Sequence, residues 1–392
     1  MTAVPERLRP LLAPESPLQD LARRFVAAGH SLYLVGGSVR DALLGVTKPG
    51  ADYDLTTDAR PDAILELVRG WADPVWLQGQ AFGTIGAAKG EMRMEITTFR
   101  AEVYRPDSRK PSVTFSDSLP TDLSRRDFTV NAMAISLPEP KLTDPYGGLD
   151  DLLVHKRLRT PLDPEVSFLD DPLRMLRAAR FMAGLGLEPD PALVAAATDL
   201  AGRLEVVSAE RIRDELSKLL VVDDPSAGLW FLVRTGLADE FLPELTALAL
   251  EQDPIHHHKD VLAHTIAVVA KTRPELVVRL AALLHDIGKP KTRSFGPDGV
   301  SFHLHDVVGA RMAEERLRAL RFPKEIIEAV TQLVLLHLRF HTYKMGWTDK
   351  AIRRYVRDAG PLLDARIDEG PMTEEEAERR LLAWAEERGL RP

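Results

Sequence analysis

Two rhythms of apolar residues run along this chain of 392 residues. Up to about residue 98, short apolar runs alternate with helically spaced ones. LYLV (32–35) reads as a buried strand, GGSVRDALLG (36–45) as a turn into a helix, and DYDLTT (52–57) as a second strand. PDAILELVRGW (61–71) opens with proline, which suits a first helical position, and WLQGQAFGTIGAA and MRMEITTF supply further strands. An α/β unit follows from that alternation. Residues 100–124 are polar and contain Pro106, Pro111 and Pro120, so they read as a long functional or moving loop. Beyond Pro145-Tyr146-Gly147-Gly148 the spacing becomes helical and predicts an all-α second half. Asp253-Pro254 with His256, His257 and His258 marks a boundary, and Arg293 to Ser301 reads as a Gly/Pro loop between helices. The stretch TEEEAERRLLAWAEERGL (373–390) predicts an acidic amphipathic surface helix.

Composition narrows the class. At 45% hydrophobic and 28% charged residues the chain falls in the globular range and not with disordered or fibrous sequences, and its length predicts two or three domains. With no cysteine, disulfides, thiolate nucleophiles and zinc-thiolate sites are excluded, and any metal must be held by His and carboxylates. The first twenty residues lack a basic segment followed by an apolar one, and no apolar run approaches bilayer length, so a cytoplasmic location with no membrane partner is expected. Lys+Arg 51 against Asp+Glu 59 leaves a net charge of −8, which disfavours indiscriminate polyanion binding but permits a local basic groove.

The first candidate chemistry lies at Gly36-Gly37. A glycine turn from strand to helix leaves backbone N–H groups at the positive end of the helix dipole, a seat for phosphate. The third glycine of a dinucleotide fingerprint is missing, as is the GK[ST] of a P-loop. Asp52 and Asp54 stand two apart on a strand, hence on one face, where they can bind Mg²⁺ or serve as turn aspartates beside Lys48-Pro49-Gly50.

GGSVRDALLG followed by DYDLTT resembles the opening of the nucleotidyltransferase superfamily. RRDFTVNAMA (125–134) is similar to a motif of bacterial tRNA nucleotidyltransferases (CCA-adding enzymes) and related poly(A) polymerases. FLDDPLRMLRAARF (168–181) resembles their EDPLRMLRAARF with Asp170 in place of Glu, and SAERIRDEL (208–216) resembles the ERI..EL motif that follows. The resemblance implies an α/β nucleotidyltransferase head (15–148) and a helical neck/body (149–252) for nucleotide selection and RNA binding. It implies Asp52 and Asp54 as catalytic ligands of Mg²⁺ for two-metal transfer of a nucleotide to an RNA 3′-hydroxyl. Glu95 is either a third carboxylate or a surface residue. Gly36, Gly37, Ser38 and Arg40 would contact the triphosphate, with Asp41 ordering Arg40 by an ion pair. Arg126, Asp127 and Asn131 would contact ribose and phosphates, and Arg125 would be solvated. Asp171 and Arg174, three apart and so on one helix face, would imitate a pairing base for CTP and ATP, or form an ordinary surface ion pair. Arg177 and Arg180 would serve the nucleotide or the RNA backbone, and Leu173, Leu176 and Phe181 the core.

His264 and the pair His285-Asp286 resemble an HD domain, placed at 253–370 and followed by the C-terminal helix (371–392). The resemblance implies a divalent ion such as Mn²⁺, Ni²⁺, Co²⁺ or Mg²⁺ on His264, His285, Asp286 and a distant Asp, either Asp368 or Asp364. His305 and His337 are open to a second metal, a substrate phosphate or a structural role, while His303 and His341 are expected at the surface. The expected function is template-independent addition of CCA to tRNA 3′ ends from CTP and ATP, with HD phosphohydrolysis as a second activity. A-only or, less favoured, CC-only addition, poly(A) synthesis, and an HD phosphohydrolase with an RNA-binding head are the alternatives.

Overall fold

The computed structural model describes residues 12–46, 52–105, 108–250, 260–296 and 299–338, of which 101–114 are described by their backbone alone. Asp364, Asp368, His341, His256 to His258 and the C-terminal helix lie outside the described residues. The chain divides into two compact units, Met1–Val206 and Val207–Pro392, so the division falls within the segment expected as neck/body.

The first unit is built on a seven-stranded sheet of order β3-β4-β5-β2-β1-β8-β9. Its strands are β1 (Leu32–Val35), β2 (Asp52–Thr57), β3 (Val75–Trp76), β4 (Thr84–Lys89), β5 (Met92–Thr98), β8 (Ala134–Leu137) and β9 (Leu142–Thr143). Helix α1 (Pro17–Ala27) starts where the Ser16 hydroxyl accepts from Gln19 N–H, satisfying a free donor of the first turn. With α3 (Pro61–Val68) it packs on the sheet, burying Leu18, Phe25, Leu34, Ile64 and Ile96. Helix α2 (Gly37–Leu44) sits against β1 and β2.

Residues 100–124 correct the loop expectation. They form a hairpin of β6 (Arg100–Arg105) and β7 (Ser108–Phe115), then α4 (Leu119–Ser124). Pro111 is compatible because a two-stranded ribbon leaves one edge of each strand unpaired. After it come α5 (Gly148–Asp150), β10 (Arg157–Leu158), α6 (Pro164–Asp170), α7 (Leu173–Leu185), β11 (Glu188–Pro189) and α8 (Pro191–Asp199).

The second unit is helical: α9 (Ala209–Leu220), α10 (Ser226–Arg234), α11 (Leu237–Phe241), α12 (Pro243–Thr246), α13 (Val261–Lys271), α14 (Leu276–Leu284), α15 (Lys289–Thr292), α16 (His305–Ala319) and α17 (Lys324–Leu336). The Gly/Pro stretch from Arg293 is not a plain loop, which corrects that expectation. It closes a hairpin of β12 (Arg293–Gly296) and β13 (Gly299–Phe302), whose period-two patterns are only four residues long and hard to separate from turn composition. Arg279 is the largest fully buried side chain; its guanidinium donates to the carbonyls of Leu220 (2.6 Å), Val222, Asp223 (2.9 Å) and Thr272 (3.1 and 3.3 Å). It thereby caps the ends of α9 and α13. Among the described residues no helix is long and apolar enough to cross a membrane.

Candidate functional sites

Strand β2 points Asp52 and Asp54 to the same exposed face, and its parallel neighbour β5 places Glu95 opposite Asp54 and Arg93 opposite Asp52. Arg93 pairs with Asp52 at 3.4 Å. Desolvation pushes the Asp54 carboxyl above its ordinary range and Asp52 adds to this, while Arg126, Arg40 and Arg177 oppose it. Glu95 is raised by desolvation and by both aspartates. Asp54 and Glu95, both raised in part by neighbouring carboxylates, suit a divalent cation together with Asp52.

Gly36 precedes α2 with φ 69°, a left-handed backbone favouring glycine. A Cβ there would lie 3.1 Å from Arg126 Nη1 and 3.4 Å from Asp54 Oδ2, so Gly36 lets these two groups close over the turn. Gly37 and Ser38 occupy the first positions of α2, and Ser38 Oγ accepts from Asp54 N–H at 3.3 Å, fixing the helix start against β2. Arg40 is held by Asp41 at 2.6 and 2.8 Å, as expected, and donates to Asn131 Oδ1 at 2.5 Å. Asn131 donates in turn to Asp127 (2.9 Å), whose other oxygen takes two bonds from Arg177 (2.5 and 2.9 Å). Burial would raise the Asp127 carboxyl, yet Arg177, Asn131 and Arg174 together hold it down at about 2. The guanidiniums of Arg40, Arg177 and Arg180 lie 5.1, 5.6 and 4.2 Å from the buried Phe181 ring. Residues distant in sequence thus form one polar chain beside Asp54.

Two expectations are corrected. Arg125 is not solvated: with 15% of its side chain exposed, it donates twice to Asp122 (2.8 and 3.1 Å). Asp122 is fully buried and also takes Arg126 (3.2 Å) and the Thr56 hydroxyl (3.3 Å), so it ties the arginine pair to β2. Sequence reasoning missed Asp122, although its spacing of three and four from Arg125 and Arg126 was a signal. Nor do Asp171 and Arg174 share a helix face. Asp171 is extended (φ −141°, ψ 99°) at the break between α6 and α7, because the ring of Pro172 disfavours helical backbone before it. Its carboxylate accepts from Leu173 N–H at 3.2 Å, and buried Arg174 donates to Ser167 Oγ (2.8 Å) and to the Arg125 carbonyl.

In the second unit, donor atoms of His264, His285 and Asp286, and again of Asp286, His305 and His337, lie within 4.8 Å of one another; among the described residues these are the groups gathered closely enough to grip an ion. Asp286 belongs to both. The Nδ1 atoms of His285, His305 and His337 lie 2.8, 2.8 and 2.6 Å from the carbonyls of Ala282, Phe302 and Val334. A carbonyl only accepts, so each Nδ1 carries a proton and each ring turns its Nε2 inward. Those Nε2 atoms lie 3.1 (His285), 3.4 (His305) and 3.9 Å (His337) from Asp286 oxygens, and the Nε2 atoms of His305 and His337 face each other at 3.2 Å. Imidazole nitrogens gathered around one carboxylate in this way fit the donor set of a divalent cation. Burial drives His337 down to about 4, with His285 and His305 adding and the Val334 bond and Asp286 opposing, so it is neutral at pH 7. Burial would raise Asp286, but His285, His305 and Lys289, the last at 2.7 Å, hold it well below the usual carboxylate range. Gly288 allows the close approach of α16: a Cβ there would lie 2.2 Å from the His305 carbonyl oxygen. His303 is exposed, as expected.

Comparison with known proteins matches the poly(A) polymerase head domain over residues 32–159, a probable RNA- and SrmB-binding site of polymerase A over 186–248, and the HD domain over 256–383. An A-adding tRNA nucleotidyltransferase of Deinococcus radiodurans is 37% identical over 349 residues, covering 84% of this chain and 73% of that protein. A CCA-adding enzyme of Lacticaseibacillus paracasei is 40% identical over 228 residues, 58% of this chain and 55% of that one, so the match spans about half of such relatives. The crystal structure of the Bacillus stearothermophilus CCA-adding enzyme in complex with CTP superposes with a TM-score of 0.65 at 25% identity, covering 97% of this chain and 83% of that chain.

Proposed function

The chain belongs to the tRNA nucleotidyltransferase and poly(A) polymerase family, and from that premise we propose that it completes tRNA 3′ ends with CCA from CTP and ATP, in the cytoplasm and without a template. The observation carrying this reading is the gathering of Arg40, Arg126, Asp127, Asn131 and Arg177 beside the exposed Asp54 carboxylate at the Gly36 turn. The start of α2, with Gly37 and Ser38, receives the triphosphate, and Arg40 and Arg126 offset its charge. Asp127 and Asn131 act by holding Arg40 and Arg177 in place. Asp52 and Asp54, with Glu95 alongside, would hold Mg²⁺. When bound, Mg²⁺ supplies Lewis acidity to the attacking 3′-oxygen and to the departing pyrophosphate. Asp171 accepts from the exocyclic amino group of C or A and Arg174 donates to ring acceptors, each side chain being kept in place by its own neighbours.

The test is extension of transcripts ending before CCA, after one C and after CC, with each labelled NTP. Addition of C, C and A, with UTP and GTP refused, is expected; loss of that refusal in Asp171→Ala supports the protein template, and its full retention removes it. The Deinococcus relative favours a second reading, A-only addition, which the transcript ending in CC would isolate. CC-only addition and poly(A) synthesis have less support and give their own product lengths.

For the second unit we propose metal-dependent phosphoester hydrolysis on 2′,3′-cyclic phosphates or phosphomonoesters, with His264, His285, Asp286, His305 and His337 as ligands and Asp368 or Asp364 as a further one. Mn²⁺, Ni²⁺, Co²⁺ or Mg²⁺ bound there would acidify a water. Phosphate release from a 2′,3′-cyclic nucleotide with each metal tests it. Hydrolysis without nucleotide addition would instead favour an HD phosphohydrolase with an RNA-binding head.

A further inference from the structure

The β12–β13 hairpin adjoins the HD centre. The carbonyl of Phe302, its last residue, fixes His305 Nδ1, and the Lys289 ammonium that binds Asp286 at 2.7 Å lies 5.6 Å from the Phe302 ring. In the register Arg293 opposes Phe302 and Phe295 opposes Val300. Residues two apart on a strand, and residues directly opposite across a pair, share a face. One face therefore carries Arg293, Phe295, Val300 and Phe302, while the other carries Ser294 and Ser301.

Phe295 sits on the aromatic face yet is 68% exposed, and the Arg293 guanidinium stacks 4.7 Å from its ring centre. A ring backed by a cation and open on its other side binds a second π-system well. Phe295 lies two residues along the strand from the Phe302 rung, about 7 Å at the usual rise. That span separates a base from its own phosphate within one nucleotide.

We propose that this hairpin is a nucleobase platform. The phosphoester taken by the HD centre then belongs to a nucleoside, with the base stacked on Phe295 and the phosphate directed past Lys289 to Asp286. The inference rests on the hydrolase reading given above and narrows its substrate class to nucleoside phosphates, whether free nucleotides or RNA ends.

The full-length protein with Mn²⁺ is compared with Phe295→Ala and Phe295→Trp, changes at an exposed position that leave the core intact. Binding of AMP and of base-free ribose 5-phosphate is measured as the difference between wild type and Phe295→Ala, so that nucleotide held by the head cancels. Phe295→Ala should weaken AMP binding about tenfold, the scale of one lost base–aromatic stack, with ribose 5-phosphate unchanged and Phe295→Trp restoring AMP. KM for 2′,3′-cyclic AMP should rise by a similar factor with little change in kcat. An equal effect on a short RNA bearing a cyclic end would identify RNA ends as the source, and an effect on the mononucleotide alone would identify free nucleotides. Unchanged AMP binding, or equal losses for AMP and ribose 5-phosphate, overturns the platform. Absence of hydrolysis in wild type overturns the hydrolase reading, while the AMP comparison still decides the platform.

Discussion

The two candidate sites are built in opposite ways. In the second unit the side chains have already converged, with the imidazole rings oriented by backbone carbonyls. In the head the carboxylates spread along an open strand face, and much of the order lies behind them in arginines bound by Asp122, Asp127 and Asn131. The HD centre thus gathers its groups around one buried carboxylate, Asp286, whereas the head keeps its buried ion pairs behind the exposed strand face.

The largest expected effect separates the sites chemically. Asp54→Ala should lower nucleotide addition by about 10³-fold, roughly 4 kcal/mol in the barrier, because Lewis-acid assistance is worth several kcal/mol. Phosphate release from a cyclic nucleotide should be unchanged, and His285→Ala combined with Asp286→Ala should give the converse pattern; parallel loss of both activities in either variant would erase the comparison. Next comes the buried support. Asp122→Ala leaves Arg125 and Arg126 partly buried without their counter-charge and should cost about 3 kcal/mol in denaturant unfolding of the first unit. A cost below about 1 kcal/mol would show the head arginines to be held by other means.

A smaller effect is acid lability. The Asp127 carboxyl titrates at about 2 in the folded chain against an ordinary 3.8, so its contribution is present above about pH 4 and lost as pH falls towards 2. That loss amounts to about 2 kcal/mol, and Asp127→Asn should remove this part of the pH dependence. Last, Gly288→Ala forces a methyl against the His305 carbonyl and should weaken Mn²⁺ binding by about tenfold, an outer-shell effect read by metal titration. Unaltered affinity would mean that the HD centre tolerates displacement of α16.

Legibility from sequence followed the range of the forces involved. Strands β1 and β2 and helix α2 were readable because local period and the Gly-Gly turn set them, and the head and HD domains were readable by resemblance. Asp122, in helix α4, escaped because its role depends on Thr56 in strand β2 as well as on its neighbouring arginines. The Asp171-Pro172 dipeptide held the signal for the break before α7, but helical spacing on either side outweighed it. The chain from Arg40 through Asn131 and Asp127 to Arg177 links three distant segments, and no periodicity encodes such links.

Arg279 has a consequence for how this protein can be cut. Its motif neighbours place it with the HD helices, yet three of its four acceptor residues, Leu220, Val222 and Asp223, precede the boundary at which the HD-domain match begins, residue 256. A gene fragment starting at that boundary would keep the cation and discard most of its sockets, leaving a guanidinium interred without partners. The portable module therefore starts before α9, and shuffling or grafting the HD portion must carry that preceding helix as part of its inheritance.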